Sequence, residues 1–123
     1  MLEPYRIEFD SVQAGTFFFQ CVFVKCKEAA AVMEAAKVTK AHFGKDPASR
    51  YMPHLSLLYS DIDAEQKQAL ASKLQRELFE TSGERCLAGS SFLVDRLVLW
   101  KTPAGDRDVV EDWERIAEVQ LTG

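Results

Sequence analysis

The chain has 123 residues, 47% of them hydrophobic and 28% charged, which is the make-up of one globular domain, or part of a larger one, with a real core. Its formal charge of −4 excludes general binding to a nucleic-acid backbone, because such binding needs Lys and Arg to displace counterions. A small anion is not excluded, since a local pocket can be basic on an acidic protein.

Tyr5, Ile7 and Phe9 alternate with Arg6, Glu8 and Asp10, the pattern of a strand wet on one side. Ser11 to Gly15 reads as a turn or short loop. Thr16 to Val24 is apolar at nearly every position and reads as a central strand covered on both faces, antiparallel to the first. Glu28 to Phe43 predicts a helix, with Val32, Met33, Ala36 and Phe43 as core contacts and Gly44 as its stop. His42, in the last turn of that helix, reads as structural. Lys45 to Arg50 is a polar loop containing Pro47.

Residues 54 to 59 predict a short strand between Pro53 and Ser60-Asp61. Asp63 then reads as an N-cap, with Gln66 completing a capping box. The helix that follows runs to about Phe79 and buries Leu70, Leu74 and Leu78; Thr81-Ser82-Gly83 ends it. Phe92 to Trp100 is a third apolar run, interrupted by Asp95 and Arg96, a salt-bridged or solvated pair at a bulge or edge. Pro103 to Asp108 is turn-rich, and Trp113 to Leu121 alternates as an outer strand does. The order β-β-α-β-α-β-β gives an α+β class, with antiparallel strands and packed helices.

No run of about 18 apolar residues exists, so no membrane span is expected. The start Met1-Leu2-Glu3-Pro4 lacks the regions of a signal peptide. Cys21, Cys26 and Cys86 show no CxxC spacing and read as reduced, packed thiols of a cytoplasmic protein. There is no glycine-rich fingerprint and no ligand cluster, so no cofactor and no metal are expected.

Tyr51-Met52-Pro53-His54-Leu55-Ser56-Leu57-Leu58-Tyr59 is the stretch that carries chemistry. Alternation places His54, Ser56 and Leu58 on one face and Leu55, Leu57 and Tyr59 on the other. An imidazole that titrates near neutral pH and a hydroxyl two positions away can both reach one small anion. A histidine alone in an apolar strand is more often a packed, hydrogen-bonded structural residue, and spacing does not choose between the two readings.

Gly15-Thr16-Phe17-Phe18-Phe19-Gln20-Cys21-Val22-Phe23, followed by the stretch from Tyr51 to Tyr59, resembles the plant cyclic phosphodiesterases of the two-histidine phosphoesterase superfamily. The likeness extends over nearly the whole chain, including the helices around His54 and the closing Lys101-Thr102 and Trp113-Glu114 segments. It implies a fold of two lobes, each with an antiparallel sheet and each contributing one His-x-Thr/Ser motif. It implies metal-independent opening of ADP-ribose 1″,2″-cyclic phosphate to the 1″-phosphate, and of nucleoside 2′,3′-cyclic phosphates to 2′-phosphates. Carried over, His54 is one acid/base residue, Ser56 holds a phosphoryl oxygen and Tyr59 is a substrate-side contact.

The chain has two histidines, and His42 is followed by Phe43-Gly44, so one such motif is present. The likeness is therefore to the C-terminal part of a cyclic phosphodiesterase, a single domain over residues 1–123 shortened at its N-terminus. With half the usual chemistry, weak or no turnover by these residues alone is expected. The rival readings are a nucleotide- or phosphate-binding remnant and a structural interaction domain. The apolar residues 17–24 would be left partly bare and would favour self-association. Arg50, Arg96 and Lys101 are the candidates for neutralising the phosphate.

Overall fold

The structure, a computed structural model, describes residues 2–84, 86–102 and 110–122. Its elements run β1 (Tyr5–Phe17), β2 (Gln20–Cys26), α1 (Ala30–His42), β3 (His54–Leu58), α2 (Ala64–Phe79), β4 (Ser91–Val94), β5 (Arg96–Lys101), a short 3-10 turn (Val110–Asp112) and β6 (Glu114–Gln120). The pairs β1–β2, β2–β3 and β5–β6 are antiparallel, so the class is α+β. One sheet has the order β3-β2-β1-β4 and the other is the pair β5-β6. The chain divides into two compact units, Arg6–Phe92 and a second formed by the first five residues with the chain from Leu93 onward. The turn-rich stretch from Pro103 to Asp108 lies outside the described residues.

The first hairpin turns later than the sequence pattern suggests. β1 continues through Ser11 to Gly15, and the chain reverses at Phe18-Phe19. Polar residues at 11 and 13 signalled a loop, but they are the wet face of a longer strand. β1 absorbs an extra residue at Asp10, because Phe9 pairs with Cys26 and Ser11 with Lys25. Phe9 and Val12, three apart, thus both join the core. The N–H of Val12 is taken by Oε1 of Gln75 on α2 at 2.7 Å, tying the irregular strand to the helix. Gly15 is required where the hairpin closes: a Cβ there would run into the carbonyl oxygen of Gln20.

β2 is the centre of its sheet, with β1 and β3 along its two edges, and Cys21, Val22, Phe23 and Val24 are all buried. The expected bare surface therefore does not fall on these four residues. The core gathers Val12, Cys21, Val22 and Val24 with Ala71 and Phe79 of α2. Leu70, Leu74 and Leu78 pack against this cluster but stay half-buried, while Ala71 and Phe79 reach deepest. The Asp63 carboxylate accepts from the Gln66 N–H at 2.8 Å and starts α2 as its capping pattern predicts. α1 buries Val32 and Ala35; Phe43, expected in the core, is exposed, because the helix has ended by then and Gly44 turns the chain away with φ 69°.

In the second unit β5 and β6 pair over their length, from Arg96↔Gln120 to Lys101↔Glu114. The apolar run that begins at Phe92 breaks at Asp95, whose carbonyl accepts from Leu121 N–H at 2.8 Å. Arg96 returns to Asp95 through Nε–H at 2.8 Å, the salt-bridged pair the sequence suggests.

Candidate active site

Pro53 is fully buried just ahead of β3, where a missing N–H costs no ladder bond, and its carbonyl accepts from Cys26 N–H at 3.0 Å. This fixes the register of β3 on β2: Lys25 faces His54, Val24 faces Leu55, and Phe23 faces Ser56. Paired residues share a face of the sheet. One face therefore carries Ser11 and Gln13 from β1, Lys25 and Phe23 from β2, and His54 and Ser56 from β3. The opposite face carries Val12, Ala14, Val22 and Val24, which belong to or pack against the core.

The imidazole of His54 is exposed, not sealed among packed side chains. Its Nδ1 lies 2.8 Å from the carbonyl oxygen of Met52. A carbonyl can only accept, so Nδ1 carries the proton and Nε2 holds the lone pair in the neutral ring. Phe23, 3% exposed, meets the imidazole at 5.5 Å and 68° and supports it from below. Ser56 is half-buried, and its hydroxyl has no hydrogen-bond partner among the described residues. An imidazole of fixed tautomer and an uncommitted hydroxyl thus stand on the same face, two residues apart. That pair can exchange a proton and bind an oxyanion.

Simple alternation fails after Ser56. Phe23 pairs with Ser56 but Val22 pairs with Leu58, so Leu57 is an extra residue, a β-bulge. The bulge turns Leu58 away from His54 and onto the core side, where it packs against the buried cluster. The predicted His54-Ser56-Leu58 face is therefore corrected to His54 and Ser56. Tyr59 follows directly on the end of β3. Its ring meets Phe19 edge-on at 5.3 Å and lies 6.3 Å from that of Phe18, both in the β1–β2 turn. The sequence could not place these aromatics together, because its pattern puts the turn at Ser11 to Gly15, ahead of the true reversal at Phe18-Phe19.

His42 ends α1, exposed, with its ring edge-on to Phe43 at 5.0 Å, and contributes nothing to the sheet face. Arg50 reaches Glu28 at 3.4 Å. The Tyr51 phenol, just before the site, is held above its ordinary pKa by burial and by the neighbouring Cys26. Lys40 lies over its ring at 5.6 Å. Burial, with the Asp10 carboxylate adding to it, likewise raises the Cys26 thiol. Cys21, Cys26 and Cys86 are all free thiols. Among the described residues no group of His, Cys, Asp or Glu is placed to hold a metal ion, and no helix is long and apolar enough to cross a membrane.

A family model described as cyclic phosphodiesterase-like protein matches residues 3–121. The chain belongs to the cyclic phosphodiesterase-like proteins. It is similar to an Arabidopsis thaliana protein described as cyclic phosphodiesterase, with 39% identity over 120 residues that make up 98% of this chain and 62% of the relative. This cyclic phosphodiesterase-like chain thus spans about three fifths of the length of that curated relative. The match includes every residue of the His54 face described above.

Sequence reasoning missed two members of that face, Phe23 beneath the imidazole and Lys25 opposite it. Phe23 lies in the run Thr16 to Val24, whose pattern reads only as hydrophobic core, and Lys25 lies just beyond it. Strand alternation from Phe23 would have found Lys25 once the true hairpin was known.

Proposed function

We propose that this chain binds cyclic phosphodiesters on the β1–β2–β3 face and that His54 is an acid/base group for opening them. The observation that carries the reading is the bond from His54 Nδ1–H to Met52, which leaves Nε2 for proton transfer beside the unbound Ser56 hydroxyl. The substrates are nucleoside 2′,3′-cyclic phosphates, opened to 2′-phosphates, and ADP-ribose 1″,2″-cyclic phosphate, opened to the 1″-phosphate. The relative's description as a cyclic phosphodiesterase supports this class.

In the reaction a base takes a proton from water as its oxygen bonds to phosphorus. The bond from phosphorus to the ring 3′-oxygen breaks, and an acid delivers a proton to that oxygen. Ser56 donates a hydrogen bond to a phosphoryl oxygen that gains charge on the way. Tyr59, with Phe18 and Phe19, provides an aromatic contact for the rest of the substrate.

Base and acid act at opposite sides of the phosphorus, and one imidazole cannot stand at both. The described residues hold one histidine on this face, which favours binding with slow turnover by these residues alone. The test is incubation of the 123-residue polypeptide with 2′,3′-cyclic AMP, followed by phosphorus NMR and by the His54 ring signals. The expected result is a shift of the His54 signals with slow appearance of the 2′-phosphate. A cyclic nucleotide that leaves His54 and Ser56 unmoved at millimolar concentration defeats the reading and favours a structural or interaction role.

A further inference from the structure

The cations of the described residues are mostly accounted for where they lie near strands and strand entries. Lys27 meets Glu8 at 3.0 Å, Arg50 meets Glu28 at 3.4 Å, and Arg96 meets Asp95 at 2.8 Å. Lys40 donates to the carbonyl oxygens of Ser49 and Arg50 at 2.7 and 3.2 Å. Lys25 differs from all of these. It is half-buried on the central strand, between Ser11 on one side and His54 on the other. It makes no hydrogen bond or ion pair with any described residue.

An ammonium group with no counter-ion among the described residues keeps its donors for a ligand. Strand residues directly opposite one another have Cα atoms about 4.5–5.5 Å apart and side chains on the same face. The long Lys25 stem therefore rises beside the imidazole of His54, one row from the Ser56 hydroxyl. Two donors, the Lys25 ammonium and the Ser56 hydroxyl, share this face with the His54 imidazole, and the Asp10 carboxylate, which accepts from Ser11 on the same face at 3.5 Å, makes no ion pair with Lys25. Arg50 and Arg96 are already held by carboxylates, and Lys101, which like Lys25 has no hydrogen bond or ion pair with a described residue, is exposed at the end of β5 and not on the His54 face.

We propose that Lys25 is the cation of this site, and that its ammonium group binds the phosphoryl oxygens of the cyclic phosphodiester held by His54 and Ser56. The assignment rests on the function proposed above and names the group that neutralises the phosphate. A lysine suits the task because its three donors rotate freely and can follow the oxygens as the ring opens. Its charge also offsets the negative charge that builds on those oxygens in the transition state.

The experiment compares the unmodified chain with Lys25→Gln, Lys25→Arg and His54→Ala. Each is titrated with 2′,3′-cyclic AMP and, separately, with adenosine, which has no phosphoryl group, and binding is followed by NMR. Lys25→Gln is expected to weaken binding of the cyclic nucleotide by about tenfold or more, the loss of one charged hydrogen bond, and to leave adenosine binding unchanged. Lys25→Arg is expected to restore most of the loss. Added salt should weaken binding to the unmodified chain more than to Lys25→Gln. If Lys25→Gln does not fold, Lys25→Met keeps the apolar stem and takes its place.

Undiminished binding by Lys25→Gln, alongside lost binding in His54→Ala, overturns the Lys25 assignment and leaves the site standing. In that case the lysine stem merely packs along the sheet. An equal loss for the cyclic nucleotide and adenosine also overturns it, because the defect would then not concern the phosphoryl group. A cyclic nucleotide that perturbs none of these residues in the unmodified chain overturns both the assignment and the function beneath it.

Discussion

The pairs β2–β3 and β5–β6 are built alike and end up very different. Both are antiparallel, and each has one break in register, with Leu57 the extra residue in the first and Ile116 in the second. Both extra residues are exposed aliphatics, 40% and 50% accessible. Behind β2–β3, however, lies a packed core in which Val22 and Val24 have no exposure at all. On β6 every residue is exposed, and only Leu121 just beyond it is buried.

The polar groups follow the same division. On the β5–β6 pair Arg96 is bound to Asp95 and Glu118, and Arg115 to Glu118, so both arginines are neutralised, and the remaining cation, Lys101, is exposed at the end of β5. On the β2–β3 pair Lys25 has no acid and Ser56 no hydrogen-bond partner among the described residues. Balanced charge on an exposed ribbon is ordinary wet surface. An unbalanced polar row on a rigid, core-backed sheet has both the free valences and the fixed geometry that binding needs.

The largest expected effect tests the core side of this contrast. Val24→Asp places an unpaired charge where no water reaches and should cost more than about 4 kcal/mol, enough to prevent folding. Val119→Asp, at a position 60% exposed, should stay within about 0.5 kcal/mol in urea denaturation. Similar losses at the two positions would dissolve the contrast.

The next effect concerns chemistry. His54→Ala should lower whatever turnover of 2′,3′-cyclic AMP the chain shows by about 10²–10⁴-fold, while Arg115→Ala leaves it unchanged, both measured as product formed at saturating substrate. A Gly15→Ala variant sharpens the role of the first hairpin. Its new methyl group must displace the Gln20 carbonyl, at a cost of about 1–3 kcal/mol, readable as a lower denaturation midpoint.

The smallest effect belongs to the exposed pair. The hydrogen bond from Arg96, more than its charge, holds the Asp95 carboxyl below the ordinary carboxylate range. A carboxylate with a depressed folded pKa adds stability above its unfolded pKa and loses it as pH falls through the folded value. Acid titration of stability should therefore show a slight loss below the ordinary carboxylate range, which Arg96→Gln removes. Because the Asp95 side chain is half-exposed and its pair with Arg96 is open to solvent, added salt should shrink the same difference.

Much of this molecule was legible locally. Asp63 and Gln66 announced α2, Gly44 announced the end of α1, and the alternation from Ala117 to Leu121 announced β6, because caps and periodicity act within a few residues. The hairpin at Phe18-Phe19 and the bulge at Leu57 depend on how the strands meet, whereas the exposure of Phe43 follows from the turn at Gly44. The two polar positions 11 and 13 look the same whether they lie in a loop or on the wet side of a strand.

By itself, then, the sequence determined the α+β class, the elements around His54, the His-x-Ser pair and the family it belongs to. Each depends on residue types at short spacing. Only the tertiary structure decided what stands beside that pair: Lys25 opposite the imidazole, Phe23 beneath it, and Leu58 turned into the core. Strand register is set by hydrogen bonds between residues some thirty positions apart, and a shift of one residue sends every following side chain to the other face.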